Sequence, residues 1–275
     1  MFISKIIPES ILFRILYLMN FLKLFESNSY KLNTFLPIIT GKVIKKDGFV
    51  LSNYGVWLKN NYYDKTFKLN ILGYRNRLDR YLKQIGEPFL FFDIGANQGL
   101  FSLIASQNKH CLNLHLFEPN KNLENTLMHN LEFNRVLNYQ IHSYALTNKK
   151  GKVPFYIPLN HSGAARVMDS SSNYTYCDSV NRNYLNDMRI STMGNIFLKI
   201  DVEGSEDQVL EEFFNSNLKD LIQYIFIELN SHLGNVEKCV DFLLENDFIE
   251  VYRKGTTQIH DSLYIKNSSK LKNFK

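Results

Sequence analysis

From residue 89 onward, short apolar segments alternate with longer amphipathic ones, and this alternation constrains the fold more than any other feature of the sequence. The short segments have the length of buried strands, and the longer ones repeat apolar residues at helical spacing. The predicted strands are residues 89–95, 112–117, 139–146, 196–201 and 224–229, and the predicted helices are 100–106, 120–134, 205–214 and 236–245. Such alternation is typical of a parallel sheet with crossover helices, so we predict a doubly wound α/β domain over residues 88–266.

Two later segments depart from this alternation. Residues 147–195 are too long for a simple connection and are rich in Asn, Ser and Tyr, so we predict an irregular insertion of the kind that often forms a lid or a substrate loop. The segments FIEVYRKG and SLYIK, residues 248–255 and 262–266, predict a closing antiparallel pair of strands. Residues 267–275 are basic and polar and are predicted to be a flexible tail.

Residues 1–87 precede the sheet and are predicted to form an accessory region. The alternation over residues 41–59, with Asp47-Gly48 at its centre, predicts a β-hairpin. Apolar residues at helical spacing predict a helix over residues 69–85.

Residues 11–25, ILFRILYLMNFLKLF, are the most apolar segment of the accessory region. Arg14, Asn20 and Lys23 interrupt the segment, and its apolar runs are shorter than the roughly 18 residues of a membrane span. We therefore predict an amphipathic helix that packs on the protein's own core or on a second subunit of a homodimer. Peripheral contact with a membrane surface is the alternative.

Composition excludes several classes of protein. The 275 residues include 32 Lys and Arg against 27 Asp and Glu, but the basic residues are scattered, so no nucleic-acid partner is predicted. Cys111, Cys177 and Cys239 are far apart and odd in number, which excludes a disulfide framework and a zinc site of the CxxC kind. This cysteine usage favours a cytoplasmic protein.

The motif DIGANQG, residues 93–99, stands where the first predicted strand of the sheet turns into a helix. Gly95 allows the backbone to pass close to a ligand, and Gly99 allows the helix to pack on the strand. The dinucleotide fingerprint GxGxxG is absent, and Asp93 would repel a pyrophosphate. A ligand with a cationic end fits this turn better.

A second acid, Glu118, ends the next strand in the segment HLFEP, 25 residues after Asp93. A carboxylate at this place in a doubly wound fold accepts the ribose hydroxyls of an adenosine group. The two motifs together predict an adenosine-containing ligand with a positive charge.

Five segments occur in an order that resembles the FkbM family of methyltransferases, which use S-adenosylmethionine (SAM). They are DIGANQGLFSL, FEP, the Ala145-Leu146-Thr147 segment, KIDVEGSE (residues 199–206) and IELN (residues 227–230). SAM carries a sulfonium and an ammonium but no phosphate, which agrees with the charge of the turn. The resemblance runs from about residue 89 to residue 230 and is weak or absent elsewhere.

The resemblance implies a seven-stranded, Rossmann-like methyltransferase sheet and O-methylation of a hydroxyl, commonly on a sugar, a glycan or a related natural product. It also implies a role for particular residues. The cofactor loop would comprise Asp93, Gly95, Ala96, Asn97 and Gly99, with Glu118 at the ribose, Ala145 beside the adenine, and Asp201 and Glu203 facing the methyl donor or the acceptor. Ala164-Ala165 stand where hydroxyl residues are expected in relatives, which leaves the acceptor contacts open.

Methyl transfer to a hydroxyl requires alignment and a base. Asp201, at the carboxyl edge of the sheet, is the first candidate, and His161, His232 and His260 are the others. Within the insertion, Asn160, Arg166, Tyr174 and Tyr176 are suited to binding a sugar-like acceptor.

Three alternatives stay open. A divalent metal held by Asp201, Glu228 and Asn230 would lower the pKa of the hydroxyl instead of a base. A non-catalytic protein that binds SAM or a nucleotide would share the same motifs. An NAD-dependent oxidoreductase would share the sheet, although the glycine pattern does not favour it.

Overall fold

The computed structural model describes residues 44–74, 76–168, 174–190 and 194–266. Its strands are β1 (Lys45–Lys46), β2 (Phe49–Leu51), β3 (Trp57–Lys59), β4 (Phe89–Ile94), β5 (Cys111–Phe117), β6 (Tyr139–His142), β7 (Ala145–Leu146), β8 (Gly151–Tyr156), β9 (Arg166–Val167), β10 (Thr175–Val180), β11 (Asn195–Ile200), β12 (Ile222–Asn230), β13 (Ile249–Gly255) and β14 (Ile259–Ile265). Its α-helices are α1 (Lys65–Leu72), α2 (Leu78–Gln84), α3 (Leu100–Ser106), α4 (Lys121–Phe133), α5 (Arg182–Asp187), α6 (Glu206–Phe214) and α7 (Val236–Glu245). Short 3-10 helices occupy Ser162–Ala164 and Lys219–Leu221.

Seven strands form the central sheet in the order β13-β14-β12-β11-β4-β5-β6. The five strands from β12 to β6 in this order are parallel, whereas β14 runs antiparallel to both β12 and β13. This arrangement confirms the predicted seven-stranded, doubly wound α/β fold and the predicted antiparallel pair at its end. The strands begin and end within two residues of their predicted bounds, except at residues 139–146 and at the start of β14, which begins at Ile259 instead of residue 262.

The two faces of the sheet carry two hydrophobic cores, because successive side chains of a strand point to opposite faces. Phe91 belongs to the core that helices α3 and α4 cover, and Phe92 belongs to the core that α6 and α7 cover. The first core also contains Val50 of β2, Leu58 of β3 and Phe67 of α1. The described part of the accessory region therefore shares a core with the sheet.

The hairpin predicted in the accessory region is confirmed, since β1 pairs with β2 and Asp47 and Gly48 connect them with φ of 51° and 81°. Two successive positive φ angles are the geometry of a type I′ hairpin turn. A third strand, β3, pairs with β2 and was not predicted separately. The single helix predicted over residues 69–85 is wrong, because α1 ends at Gly73, where φ is 92°, and α2 begins only at Leu78.

The prediction of an irregular insertion over residues 147–195 is also wrong. Strands β8, β9 and β10 join β7 in a second, four-stranded sheet of order β7-β10-β8-β9. The predicted strand 139–146 is split accordingly, because β6 ends in the central sheet at His142 and β7 pairs with β10 in the second sheet. Only alternate residues of β8, Val153 and Phe155, are buried, and such a thin apolar pattern is hard to see among polar neighbours.

The predicted amphipathic helix over residues 11–25 and the predicted tail over residues 267–275 lie outside the described residues. None of the helices that the structure does describe is long and apolar enough to cross a bilayer. The predicted contacts with a membrane surface or with a second subunit stay predictions.

Candidate functional site

A cavity of about 290 Å³ lies at the carboxyl ends of β4, β5 and β11. Ligands of open α/β sheets bind at this edge. Residues from the turn after β4, from the 147–195 insertion and from helix α1 all contribute to its walls. The lining includes Thr66, Asn70, Tyr74, Gly95, Ala96, Asn97, Glu118, Ala145, His161, Ser162, Gly163, Arg166, Lys199, Asp201, Glu203 and Glu228. The accessory region is therefore part of the candidate site.

The turn after β4 is packed tightly against two other elements. Gly95 and Gly99 both have φ of 81°, and Asn97 between them has φ of 52°. A Cβ atom at Gly95 would collide with the carbonyl oxygen of Asp201, and one at Gly99 would lie 2.5 Å from Cδ1 of Leu127 in α4. Both positions require glycine, because a Cβ atom has no space at either of them and most side chains are also strained at positive φ.

Glu118 follows β5 and lies in the cavity wall, where it is only 7% exposed. Its Oε2 accepts the backbone N–H of Asn97 at 2.7 Å, and its Oε1 accepts that of Asn120 at 2.8 Å. Burial raises the pKa of Glu118 to about 7, and these two hydrogen bonds oppose that rise. Because each carboxylate oxygen has two lone pairs, each can accept one further hydrogen bond. Glu118 thus offers two fixed acceptor atoms to a ligand.

Lys199, on β11, contacts one acid on the neighbouring strand β4 and another directly after its own strand. Its Nζ lies 3.1 Å from Oδ1 of Asp93 and 3.5 Å from Oδ2 of Asp201, and it donates a hydrogen bond to the carbonyl oxygen of Gly95 at 3.0 Å. Burial alone would lower the pKa of Lys199, but the two carboxylates raise it above its ordinary value. The ammonium therefore stays charged and fixes both acids beside the turn.

Three further carboxyl groups surround Asp201 and have raised pKa values. The negative charge of Asp201, together with burial, raises the pKa of Glu228 to about 9. Burial first, and Asp201 second, raise the pKa values of Glu203 and Asp261 to about 7. Glu228 is therefore protonated at neutral pH, and Glu203 and Asp261 titrate close to it, which is typical of groups that move protons.

The structure brings most of the predicted site residues to one cavity. Gly95, Ala96, Asn97, Glu118, Ala145, His161, Asp201 and Glu203 line it. Asp93 is 1% exposed and lies behind the lining, where it accepts a hydrogen bond from Ser102 and pairs with Lys199, and Gly99 also lies behind the lining. His232 is exposed and lies outside the cavity.

Residues 93–253 match the family model described as the methyltransferase FkbM domain. The matched region covers more than half of the 275 residues and includes the turn, Glu118, Lys199 and Asp201. The chain belongs to the FkbM methyltransferase family. Family and fold are those of SAM-dependent methyltransferases, and SAM is the cofactor of such a protein. The resemblance seen in the sequence is confirmed.

The FkbM-family chain is also similar to solved structures of low sequence identity. TrmK of M. capricolum, in complex with S-adenosyl-homocysteine, is 15% identical with a TM-score of 0.44, and the match covers 71% of this chain and 69% of that chain. The ribosomal protein L11 methylase of Lactobacillus delbrueckii subsp. bulgaricus is 13% identical with a TM-score of 0.42, over 76% and 81% of the two chains. TYW2 of M. jannaschii, in complex with AdoMet, is 10% identical with a TM-score of 0.42, over 80% and 86%. No curated protein matches the sequence significantly.

Several lining residues of the FkbM-family site were not predicted, among them Lys199 and Tyr74. The sequence did contain a signal for Lys199. A lysine two residues before Asp201 in a buried strand lies on the same face of the sheet as Asp201, and its buried charge needs an acidic partner. The register places Lys199 directly beside Asp93, which the sequence did not reveal. Tyr74 had no signal, since it follows a helix whose end at Gly73 was not recognised.

A second cavity of about 240 Å³ adjoins the first and shares Tyr74 and Glu228 with it. Asn76, Lys254 and Asp261 also line this space. Asn76 donates a hydrogen bond to Asp261, while its own Oδ1 is buried without a partner among the described residues. The second cavity thus presents both donors and acceptors beside the carboxyl groups.

The metal-assisted alternative gains no support from the described residues. Across residues 44–266, apart from the gaps named above, no group of three or more His, Cys, Asp and Glu side chains is arranged to hold a metal ion. Asp201 and Glu228 lie close enough for the charge of one to raise the pKa of the other. The role of Asn230 as a ligand stays a hypothesis.

We expect the stability of this methyltransferase to fall between pH 6 and pH 8. Five carboxyl groups, Glu118, Glu203, Glu206, Glu228 and Asp261, have pKa values raised to about 7 or above, so the folded protein binds more protons than the unfolded chain between about pH 4.5 and these values. Stability falls with rising pH wherever the folded state holds more protons.

Two buried imidazoles act in the opposite direction at lower pH. Burial lowers the pKa of His115 to about 3 and that of His142 to about 4. The folded protein therefore binds fewer protons on these two side chains than the unfolded chain does, and the stability falls as the pH drops below 6.5.

Urea unfolding at pH 6 and pH 8 measures the net change in stability, and Glu228→Gln should make this change smaller. A midpoint that rises towards pH 8 would contradict the raised carboxyl pKa values.

Proposed function

We propose that this protein transfers a methyl group from SAM to a hydroxyl of a neutral sugar, a glycan or a related natural product. The observation that carries the proposal is the Asp201 carboxylate, which lines the cavity while the three carboxyl groups around it have raised pKa values. A hydroxyl is a weak nucleophile until a base takes its proton. An amine that binds in its neutral form needs no such base before transfer.

The residues of the first cavity fit SAM. Glu118 offers two fixed oxygens for the ribose hydroxyls, and the buried Ala145 and Leu146 offer an apolar wall for the adenine. Asp201 and Glu203 lie in the same lining, where carboxylates favour the positive charges of the sulfonium and ammonium groups. The volume of about 290 Å³ is close to the lower end of the range of roughly 300 to 1,000 Å³ for ligand sites. The cavity therefore suits one cofactor and leaves the acceptor to adjoining space.

Asp201 is the base in this proposal. When bound, SAM supplies a methyl group on a positively charged sulfur, and its transfer leaves S-adenosylhomocysteine and the methylated acceptor. Asp201 takes the hydroxyl proton on Oδ1, because its Oδ2 faces the ammonium of Lys199 at 3.5 Å. Glu203, whose pKa is about 7, is suited to pass that proton to solvent. His161 lines the cavity and is the second candidate for the base.

The acceptor occupies the second cavity in this proposal, and its reacting hydroxyl extends past Tyr74 and Glu228, which line both cavities, to reach Asp201 in the first. None of the described residues between 147 and 195 lines that space. The insertion residues that line the first cavity are Thr147, Phe155, His161, Ser162, Gly163, Ala165, Arg166 and Val167. Tyr174, directly before β10, and Tyr176, on β10, are both exposed, and neither lines a cavity. The insertion therefore acts mainly as a wall of the cofactor cavity, which revises the sequence-based hypothesis of an acceptor loop.

The chemistry of the second cavity favours an uncharged, polyhydroxylated acceptor. The raised pKa values of Glu228 and Asp261 favour their protonated forms, which can donate hydrogen bonds, and Asn76 and Lys254 supply further donors. Such a mixture can hydrogen-bond the hydroxyls of a sugar in both directions. Lys254 and Asp261 carry opposite charges in this lining, so the cavity has little net charge and suits a neutral acceptor better than a charged one.

Transfer of tritium-labelled methyl groups from SAM tests this proposal. The probes are methyl glycosides of neutral hexoses, a methyl glucuronide and a methyl glucosaminide. We expect label on the neutral glycosides, and the label should survive mild alkali, because an ether is stable where a methyl ester is hydrolysed. Asp261→Asn should raise the KM for the glycoside without changing the Kd of S-adenosylhomocysteine. Label found only on the amine of the glucosaminide would contradict O-methylation.

Glu118→Ala is expected to weaken S-adenosylhomocysteine binding by roughly 1 to 3 kcal/mol, the range for hydrogen bonds to a charged group. Isothermal titration calorimetry measures the change, and Glu124→Ala, an exposed acid on the first turn of α4, is the matched control. An unchanged Kd in the Glu118 variant would place the ribose elsewhere.

A further inference from the structure

Asp64, directly before helix α1, is a buried carboxylate with an unusual number of hydrogen bonds. It is only 4% exposed and belongs to the accessory region. Oδ1 accepts the backbone N–H groups of Thr66 and Ser162 at 3.0 and 3.1 Å. Oδ2 accepts the side-chain amide of Gln98 at 2.8 Å and the hydroxyl of Ser162 at 2.5 Å. A buried charge needs such bonds, and here neutral groups from three separate segments supply them.

One of these segments is the cofactor turn. Gln98 is fully buried, and its backbone carbonyl oxygen accepts a hydrogen bond from the side-chain amide of Asn130 in α4 at 2.8 Å. Its backbone N–H donates to Oδ1 of Asn97 at 2.9 Å, and Asn97 lines the cavity. The Asp64–Gln98 bond therefore acts on the residue next to the cavity wall.

The second segment is the insertion, at the short 3-10 helix Ser162–Ala164. Ser162 gives both its backbone N–H and its hydroxyl to Asp64, and the N–H of Gly163 donates to Oγ1 of Thr66 at 2.7 Å. His161, Ser162 and Gly163 all line the cavity. The first turn of α1 thus holds the wall that the insertion contributes.

We propose that Asp64 is a positioning residue that locks the accessory helix, the cofactor turn and the insertion together around the first cavity. It contacts no reacting atom and acts through Gln98 and Ser162. Without it, the 161–165 segment separates from helix α1 more often, and a ligand in the cavity dissociates faster. The faster dissociation of the cofactor rests on the proposed SAM site, whereas the more frequent separation of residues 161–165 from helix α1 does not.

Asp64→Asn is the variant that separates this role from helix capping. An asparagine Oδ1 can still accept the N–H groups of Thr66 and Ser162, so the cap on α1 is retained. The new side-chain NH₂ group faces the NH₂ group of Gln98, and two donors cannot bond each other. Ser162→Ala removes the other partner hydroxyl while leaving the backbone N–H bond in place.

Asn235→Ala is the matched control. Asn235 caps α7 by accepting the N–H of Lys238 at 3.0 Å, and it lines neither cavity. Its loss should lower the melting temperature, as the loss of any cap does, without changing ligand dissociation.

Two measurements test the proposal. Hydrogen–deuterium exchange without ligand should be about tenfold or more faster over residues 161–165 in Asp64→Asn, which corresponds to about 1.4 kcal/mol, and unchanged there in Asn235→Ala. The dissociation rate of S-adenosylhomocysteine should rise by a similar factor in Asp64→Asn and Ser162→Ala, and the double variant should fall short of the product of the two effects.

Unchanged exchange over residues 161–165, or multiplicative effects of the two variants on dissociation, would overturn the lock. Wild-type protein that does not bind S-adenosylhomocysteine would instead refute the proposed SAM site, and the exchange data would still decide the role of Asp64.

Discussion

Asp201→Asn is expected to lower turnover by about 10²- to 10⁴-fold, the usual contribution of a general base. The substitution keeps the shape of the side chain but removes its charge and its basicity. Because Asp201 is the largest cause of the raised pKa of Glu228, its neutralisation should also allow Glu228 to ionise at a lower pH. The remaining activity should therefore depend on pH differently from that of the wild type.

Steady-state kinetics with a labelled glycoside, together with the Kd of S-adenosylhomocysteine, tests this expectation. The Kd should change much less than turnover. Asp207→Asn is the matched control, since Asp207 lies in the first turn of α6 only six residues later but pairs with Lys238 outside the cavity. If turnover survives within a few-fold while the Kd rises steeply, Asp201 belongs to the cofactor site, and Glu203 or His161 becomes the better candidate for the base.

Lys199→Met is expected to destabilise the fold by about 3 to 5 kcal/mol, the cost of removing one partner from a buried ion pair. Methionine has a similar length, so the change removes the charge with little change in volume. The carboxylate of Asp93 would be left 1% exposed with the hydroxyl of Ser102 as its remaining side-chain hydrogen bond in the described structure. Asp201 would lose the same cation but is partly exposed to solvent.

Urea unfolding measures this loss, and Lys238→Met provides the comparison. Lys238 also pairs with two acids, Asp207 and Glu211, but its side chain is 44% exposed, so its loss should cost only about 0 to 1 kcal/mol. Adding Asp93→Asn to Lys199→Met should recover part of the stability, because it removes the uncompensated charge. Equal effects of the two lysine substitutions would show that the Asp93–Lys199 pair does not matter for stability.

The central sheet was predictable because its strands are buried on both faces. FLFFDI and IFLKI are almost continuously apolar, and glycine or polar residues mark their ends, so the strands could be inferred, whereas their order in the sheet comes from the structure. The DIGANQG turn and Glu118 were predictable for a related reason, since the carboxyl ends of parallel strands meet at one edge.

The second sheet was not predictable from the same signals. Its strands are short, half exposed and paired out of chain order, so the apolar pattern is thin and the pairing of β7 with β10 leaves no local trace. The break between α1 and α2 was missed because the apolar spacing continues across it. The first helix ends at Gly73, where φ is 92°, and Asn53 donates hydrogen bonds to the carbonyl oxygens of Ile71 and Leu72.

The site was predicted where it follows strand ends and missed where distant segments meet. Asp201 and Glu203 belong to one local motif, whereas Asp64 meets Ser162 across 98 residues and Tyr74 reaches the cavity from the accessory region. No spacing in the sequence reveals such contacts. The part of the site built by residues 44–87 is therefore known from the structure alone.

Calorimetric titration of the folded 275-residue chain with S-adenosylhomocysteine shows whether the first cavity binds the cofactor. We expect binding at one site per chain, weakened in Glu118→Ala and unchanged in Glu124→Ala. A folded wild-type protein that releases no heat and shows no ligand-dependent rise in melting temperature would contradict this expectation.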